Sequence, residues 1–195
     1  MSPVRLDVRR DVDAVVIGAS AGGVEALQAI LPALPADFPV PVAVVLHLPR
    51  DRPSTIHELL ARQCALPVCE ALDKQPLHAG IVLAPPDYHL LIEPDRHLAL
   101  SVDEPVLYSR PAIDPLFESA AAVFGPRLLA ILLTGASNDG SEGAAAVRHA
   151  GGRVWIQQPT EARMPTMPAA ALAHAGADAV LTLKEISDHL AARPA

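Results

Sequence analysis

Six short runs of apolar, often β-branched residues constrain the fold of this chain more than any other feature of its sequence. They cover residues 14–17, 41–47, 81–84, 128–133, 153–156 and 179–181. Each run has the length of a strand and is apolar on both faces, which is typical of strands buried in a parallel sheet. The runs therefore predict a sheet that is covered on both sides.

Helical segments separate these predicted strands. Apolar residues recur at helical spacing in residues 23–34, 54–64, 113–124, 140–150, 168–174 and 184–192. Because strand and helix alternate, the pattern predicts an α/β fold with a three-layer, doubly wound and mainly parallel sheet. No linker interrupts the pattern, so we expect residues 1–195 to form a single domain.

The middle of the chain departs from this alternation. Within residues 81–102 the apolar runs are short and are broken by turn residues at 85–87 and 93–96, which predicts a β-hairpin insertion. Residues 103–111 carry prolines and polar side chains. We expect them to form a surface loop that walls a site.

Composition and charge narrow the class of protein. With 51% hydrophobic and 19% charged residues, the chain can bury enough surface to fold rather than stay disordered. A net charge of -7 disfavours a nucleic-acid partner, since such binding depends on clustered Lys and Arg. No apolar run approaches the ~20 residues of a membrane-spanning helix. Residues 1–13 lack the apolar core of a secretory signal, so we expect a cytoplasmic protein without membrane insertion.

The chain contains two cysteines, Cys64 and Cys69. Without an export signal, we expect them to be reduced and partly buried thiols. A zinc site completed by His57 or His78 is the alternative, but the spacing matches no familiar ligand pattern. The sequence therefore predicts no metal.

A serine stands in a tight turn between the first predicted strand and the first long predicted helix. The turn has the form G-x-S-x-G and centres on Ser20. Small neighbours let the serine hydroxyl stand clear of the sheet, near the amides of the next helix, which suits a nucleophile. Two other interpretations stay open at this point: a phosphate-binding turn for a dinucleotide, although Ser20 replaces its second glycine, and a serine that only caps the helix.

A histidine and an aspartate follow two other predicted strands. His47 ends the second strand, and Asp139 lies just beyond residues 128–133. Each has a plainer interpretation, as a packed or capping histidine and as an aspartate that caps the next helix. In a parallel sheet, however, Ser20, His47 and Asp139 would share the carboxyl edge, and together they are the set that nucleophilic acyl transfer requires.

Several segments together resemble the catalytic domain of the chemotaxis protein-glutamate methylesterases, the CheB type. They are VVIGASAGGVEAL, VVLHLP, IVLAPPDYHLLI, SRPAIDPLFESAA and ILLTGASNDGSEGAAAVRHAGG, and they span nearly the whole chain. The resemblance implies a catalytic triad of Ser20, His47 and Asp139 without metal or cofactor. It also implies that methylated glutamates on cytoplasmic helices of chemoreceptors are the substrate, and that glutamines there are deamidated.

The chain departs from the family pattern at a few positions near these motifs. Ala21 stands where threonine is common, Ala136-Ser137 where Met-Gly is common, and Thr166 where glycine is usual. We expect the backbone amides near Ala21 and Ala136 to form an oxyanion hole, because backbone donors do not depend on the side chain.

Two further expectations follow from the resemblance. Many relatives carry an N-terminal receiver domain, whereas only residues 1–13 precede the first predicted strand here. We therefore expect either an open active site or regulation by a separate protein. A noncatalytic adaptor that keeps the fold is the alternative function, and the changes at Ala21 and Ala136 are what favour it.

Overall fold

Strands pair into a large sheet and a small one in the computed structural model, which describes residues 6–192. In chain order the strands of that part are β1 Ala14–Ala19, β2 Pro41–Leu46, β3 Val68–Glu70, β4 Gly80–Leu83, β5 His89–Ile92, β6 Leu98–Ser101, β7 Leu128–Leu132, β8 Arg153–Gln157 and β9 Ala179–Leu181. The seven-stranded sheet has the order β3-β4-β2-β1-β7-β8-β9, and all its pairings are parallel. Strands β5 and β6 form a separate antiparallel hairpin.

Helices cover both faces of the large sheet. They are α1 Val8–Asp11, α2 Gly23–Ile30, α3 Ile56–Ala61, α4 Ile113–Phe124, α5 Ser141–His149, α6 Thr166–His174 and α7 Leu183–Ala191. In the described residues no helix has the length and apolar character that crossing a membrane requires.

Two hydrophobic cores lie on opposite faces of the sheet. Along β1, Val15 and Ile17 point into the core that α2, α3 and α7 cover, whereas Val16 points into the core under α4, α5, α6 and the hairpin. This alternation is the period of two of an extended strand. Because both faces bury apolar side chains, the sequence shows continuous apolar runs instead of an apolar-polar alternation.

The order in which the chain adds strands to the sheet reverses at β1. It passes from β1 to β2 and β4 on one side, then returns to place β7, β8 and β9 on the other. Ligand sites of open α/β sheets form at the carboxyl ends of the strands beside such a reversal. The carboxyl ends of β2, β1 and β7 are therefore where a functional site is expected.

The structure confirms the predicted α/β fold with its parallel sheet and hairpin, and it also corrects details. Strand β3 and helix α1 are absent from the sequence prediction because each has only three or four residues, too few for a periodic signal. The helix expected over residues 54–64 is limited to α3, whose Thr55 cap makes no side-chain hydrogen bond. Cys69 is exposed on edge strand β3, so the expectation of partial burial was wrong for it; Cys64 is half-buried.

Helix α4 begins very close to the middle of the sheet, and Gly18 on β1 permits this. A Cβ atom at Gly18 would collide with the side chain of Ile113, whose Cδ1 and Cγ1 atoms would both be 3.0 Å away. Ile113 is fully buried and β-branched, so it cannot easily swing aside. The missing side chain at Gly18 thus sets how near the first turn of α4 approaches the strand ends.

We expect Gly18→Ala to lower the free energy of unfolding by about 1–3 kcal/mol, the usual cost of overpacking. In an Ile113→Ala background the same substitution should cost much less, because the added methyl group enters the space that the isoleucine leaves. Urea denaturation of the two single variants and the double variant measures this difference. An equal loss in both backgrounds would show that Gly18 is not required for the contact with α4.

Candidate active site

Ser20 and His47 lie side by side at the carboxyl edge of the sheet. The β1–β2 register pairs Ala19 with Leu46, and the amide of His47 donates a hydrogen bond to the carbonyl of Ala19 at 3.0 Å. Continued by one residue, this register places Ser20 opposite His47, and neighbouring strands are about 4.8 Å apart. The amide of Ser20 also donates to the carbonyl of Thr134 at 2.9 Å, which ties the serine turn to the end of β7.

The hydroxyl of Ser20 is free in this arrangement. Helix α2 is capped by Gly22, in the left-handed region at φ 81°, without a side-chain hydrogen bond. Within residues 6–192 the Ser20 hydroxyl makes no hydrogen bond, and the residue is partly exposed. The interpretation of Ser20 as a helix cap is therefore wrong, and its hydroxyl stands at the surface of the turn.

His47 and Asp139 are joined by a short hydrogen bond. The Nε2 atom of His47 lies 2.6 Å from Oδ2 of Asp139, across 92 residues of sequence. The aspartate is fully buried, whereas the histidine side chain keeps 12% of its surface exposed. The pair therefore has one end fixed in the protein interior and the other end at the surface of the site.

Asp139 is held by three backbone amides in addition to His47. Its Oδ2 accepts from Ile113 at 2.6 Å, and its Oδ1 accepts from Asp114 at 3.0 Å and Gly140 at 2.9 Å. The first two donors belong to the first turn of α4, so Asp139 caps that helix. Helix α5, which follows Asp139, begins after Gly140 without a side-chain cap. The sequence-based alternative that Asp139 caps the next helix is thus wrong.

These donors determine the charge of Asp139. Burial alone would raise its pKa, but the hydrogen bonds from His47 and from the Ile113 amide outweigh burial and lower the pKa below its ordinary value. Asp139 is therefore an anion at neutral pH, at the positive end of the α4 dipole. It fixes the proton of neutral His47 on Nε2, which leaves a lone pair on Nδ1 as the available base.

A second serine, Ser109, meets that lone pair, although it was not among the residues predicted for the site. The hydroxyl of Ser109 lies 3.3 Å from Nδ1 of His47. Ser109 belongs to the segment 103–111, which was expected to wall a site and which lies beside His47. If Ser20 gives its proton to His47, its hydroxyl has to replace Ser109 as the partner of Nδ1. Catalytic hydrogen bonds often form fully only when substrate binds.

Two backbone amides beside Ser20 are available to a ligand. Those of Ala21 and Ala136 donate no hydrogen bond within the described residues, and both residues are exposed. The hydroxyl of Thr134 donates to the carbonyl of Ala21 at 2.9 Å, which fixes the orientation of the serine turn. The amide of Thr134 donates in turn to the buried side chain of Gln157 at 2.8 Å. Thr134 therefore fixes the serine turn to the end of the neighbouring strand β7.

Behind Asp139 lies another buried carboxyl, Asp114 on α4, which was not among the residues predicted for the site. Its Oδ1 accepts from the amide of Gly143 on α5 at 2.7 Å. Burial is the largest cause that raises the pKa of Asp114, the Gly143 amide opposes it, and the nearby Asp139 carboxylate raises it further, to about 7. Glu118 adds a smaller repulsion. Asp114 is therefore the one of the two adjacent carboxyls that is protonated below pH 7.

A signal for Asp114 existed in the sequence. It lies on the apolar face of α4, three positions before Phe117, where a carboxyl is costly unless it has partners. Ser109 begins the segment SRPAIDPLFESAA, but its contact with His47 depends on how an irregular loop folds back over the histidine, which the sequence does not show.

The residues considered for zinc do not assemble into a metal site. Among residues 6–192 no three His, Cys, Asp or Glu side chains come together in a group that could hold a metal ion. His57 lies near Glu70 instead, with 3.9 Å between Nδ1 and Oε2.

Comparisons with known proteins point to one family. Residues 15–190 match the family model described as CheB methylesterase. A Leptospira interrogans protein, provisionally named protein-glutamate methylesterase/protein-glutamine glutaminase, is 39% identical over 177 residues, which cover 90% of this chain and 92% of that protein. A relative from Anaeromyxobacter dehalogenans with the same activity in its name is 41% identical over 175 residues, 90% of this chain but 51% of its own length.

A solved structure agrees with these sequence matches. The Thermotoga maritima CheB methylesterase catalytic domain shares 32% sequence identity with this chain and superposes with a TM-score of 0.87. The match covers 92% of this chain and 97% of that domain.

The state of Asp114 leads to a prediction about pH. A carboxyl whose pKa is raised on folding stabilises the protein below its unfolded pKa of about 4, and this contribution is lost as pH rises through about 7. Asp114→Asn keeps the shape of the protonated form and cannot ionise. Relative to the parent protein, the variant should therefore gain stability between pH 4 and pH 7, by at most about 1.4 kcal/mol per pH unit.

Urea denaturation across this pH range tests that prediction. At pH 4 the two proteins should be nearly equal in stability, which serves as the internal control. A stability difference that stays constant from pH 4 to pH 8 would contradict a protonated Asp114.

Proposed function

We propose that this chain, which belongs to the CheB methylesterase family, hydrolyses glutamyl methyl esters on the cytoplasmic helices of methylated chemoreceptors. The observation that carries the proposal is the His47–Asp139 pair at 2.6 Å, next to the free hydroxyl of Ser20. The family that the chain matches is one of methylesterases, and the pair supplies the base that a serine esterase needs.

The proposed reaction begins at Ser20. Its oxygen attacks the ester carbonyl while Nδ1 of His47 takes its proton, and the Asp139 carboxylate stabilises the imidazolium that forms. The amides of Ala21 and Ala136 are the donors proposed for the negative oxygen of the tetrahedral intermediate. His47 then protonates the departing methoxide, so methanol leaves and a glutamyl ester to Ser20 remains.

Water completes the reaction through the same residues. His47 takes a proton from water, the hydroxide attacks the acyl-enzyme, and the proton returns to Ser20 as free glutamate is released. A glutamine side chain can enter the same sequence with ammonia as the leaving group. The names of the relatives include a glutaminase activity, and we propose that this chain shares it.

The wider setting is also a proposal. We propose that the chain works in the cytoplasm, because its proposed partners are the cytoplasmic helices of chemoreceptors. Regulation by a separate protein stays a prediction. This chain spans most of the length of the Leptospira relative and about half of the Anaeromyxobacter relative.

The noncatalytic adaptor remains the alternative, and one observation favours it. Nδ1 of His47 faces Ser109 rather than Ser20 in this structure. An adaptor would keep the surface that binds its partner but would need no nucleophile. Removal of either serine should therefore leave partner binding intact.

A pair of matched serine variants distinguishes these possibilities. We expect Ser20→Ala to abolish methanol release from methylated receptor membranes and labelling by a serine-directed phosphonate. Ser109→Ala should retain most of the activity, because it removes only a competitor for Nδ1. Full activity of Ser20→Ala together with an inactive Ser109→Ala protein would reverse the two roles, whereas an inactive and unlabelled parent protein would support the adaptor.

Asp139→Asn tests the histidine pair separately. An amide at this position favours the wrong tautomer of His47, and the corresponding change in a serine protease decreases kcat by about 10⁴. Methanol release by the folded variant should fall by a similar factor. A decrease of only a few-fold would leave Asp139 as the cap of α4 and nothing more.

A further inference from the structure

A buried histidine near the proposed active site takes no part in the reaction described above. All eight histidines of the chain lie within residues 6–192, and His89 alone among them is buried, with 2% of its surface exposed. It is the first residue of β5 and pairs with Ser101 of β6. A buried polar side chain is costly unless it is hydrogen-bonded, so the partners of His89 indicate its role.

Both ring nitrogens of His89 contact backbone groups. The amide of Ala112 donates to Nδ1 at 3.2 Å, and Nε2 lies 3.1 Å from the carbonyl oxygen of Glu104. Because an amide N–H can only donate and a carbonyl can only accept, the ring has its proton on Nε2 and a lone pair on Nδ1. His89 therefore joins the two ends of the segment 104–112.

This segment controls both partners of the His47 ring. Ser109, within the segment, lies 3.3 Å from Nδ1 of His47. Ala112 is the N-cap of α4, and the next two amides of that helix hold the Asp139 carboxylate, which contacts Nε2 of His47. Both hydrogen bonds of the proposed base thus depend on a segment that His89 holds at each end.

The hairpin that contains His89 is fixed to α4 at a second point. The amide of Ile92, the last residue of β5, donates to the hydroxyl of Ser119 on α4 at 3.1 Å. That hydroxyl donates in turn to the carbonyl of Pro115 at 2.7 Å. Contacts at both ends of β5 therefore oppose a shift of α4 along the hairpin, so the hairpin insertion supports the start of this helix.

Packing alone does not require a histidine at this position. An apolar side chain could fill the same space, but the fully buried amide of Ala112 would then lose its acceptor. Glu104 is exposed, and water can bind its carbonyl instead. Only a side chain that accepts from the amide and donates to the carbonyl joins the two ends of the segment, and imidazole does this with a rigid ring.

We propose that His89 is a positioning residue for the esterase reaction. It does not contact the reacting atoms. It fixes both ends of the segment 104–112, and through them the Asp139 carboxylate and the Ser109 hydroxyl that contact the His47 ring. The inference rests on the proposed function, and it adds a residue outside the triad on which the geometry of the base depends.

The tautomer of His89 is the first thing to measure. NMR of the parent protein with isotope-labelled histidine should show a proton on Nε2 of His89 and none on Nδ1. A proton on Nδ1 would exclude the hydrogen bond from Ala112 and overturn the inference. This measurement requires no variant and no substrate.

Two substitutions of His89 separate positioning from packing. His89→Leu keeps an apolar side chain and removes both hydrogen bonds, whereas His89→Gln keeps one acceptor and one donor. With methylated receptor membranes, His89→Leu should lower kcat about 100-fold, the cost of a small misplacement of catalytic groups, and change KM less than about twofold. His89→Gln should restore kcat to within about tenfold of the parent value, since both partners regain a hydrogen bond.

Leu190→Ala is the matched control for lost stability. Leu190 is buried on α7, in the core on the opposite face of the sheet, so its truncation leaves a cavity away from the site. All proteins are compared where urea denaturation shows them fully folded, and Leu190→Ala should keep the parent kcat. A folded His89→Leu protein with kcat within about twofold of the parent, or equal losses in both variants, would overturn the inference.

A further variant covers the case in which His89→Leu does not fold. In His89→Asn the shorter side chain reaches only one of the two partners, so kcat should fall about tenfold. A parent-like kcat in that variant would overturn the inference.

A spectroscopic measurement keeps this test separate from the proposed function. The proton between His47 and Asp139 lies in a short hydrogen bond and gives a downfield NMR resonance without substrate. His89→Leu should shift or broaden this resonance, and Leu190→Ala should leave it unchanged. If the parent protein hydrolyses no ester, the proposed function fails, yet the resonance still decides whether His89 positions the pair. An unchanged resonance in an active His89→Leu protein would overturn the inference alone.

Discussion

The carboxylate of Asp139 is the group on which the arrangement of the site depends. It is fully buried, and a buried charge persists only where hydrogen bonds replace the water it has lost. His47 and the first two amides of α4 provide those bonds. One group therefore joins the end of β2, the start of α4 and the loop after β7, and the loss of one partner would leave its charge less well compensated.

The protein brings these partners together through close packing. Gly18 leaves room for Ile113, so the amides at the start of α4 reach Asp139. Asp114, one residue further along, places a second carboxyl behind the first, and burial together with the Asp139 carboxylate raises its pKa to about 7. Below pH 7 the two adjacent carboxyls thus hold mainly a single negative charge, and it lies on the one that contacts His47. Thr134, just after β7, fixes the serine turn by a hydrogen bond from its hydroxyl to the carbonyl of Ala21.

The outer part of the site is built differently. Side-chain hydrogen bonds from Arg110 hold the segment with Ser109 and Tyr108, rather than burial in a core. Such a segment can differ among proteins that share the sheet, because few interior contacts depend on it. The strand ends therefore hold the groups proposed for chemistry, and the segment that Arg110 anchors lies beside them through the contact of Ser109 with His47.

The sequence by itself determined the α/β fold and the edge at which Ser20, His47 and Asp139 lie. It could do so because strand and helix periodicity are local, and because parallel strands necessarily bring their carboxyl ends to one edge. Only the tertiary structure decided the contacts within the site. Asp139 meets His47 across 92 residues and Ser109 meets His47 across 62, and the amides that stabilise the aspartate belong to α4 rather than to the helix that follows it. Such pairings depend on how helices and loops pack over the sheet, and no local pattern records that packing.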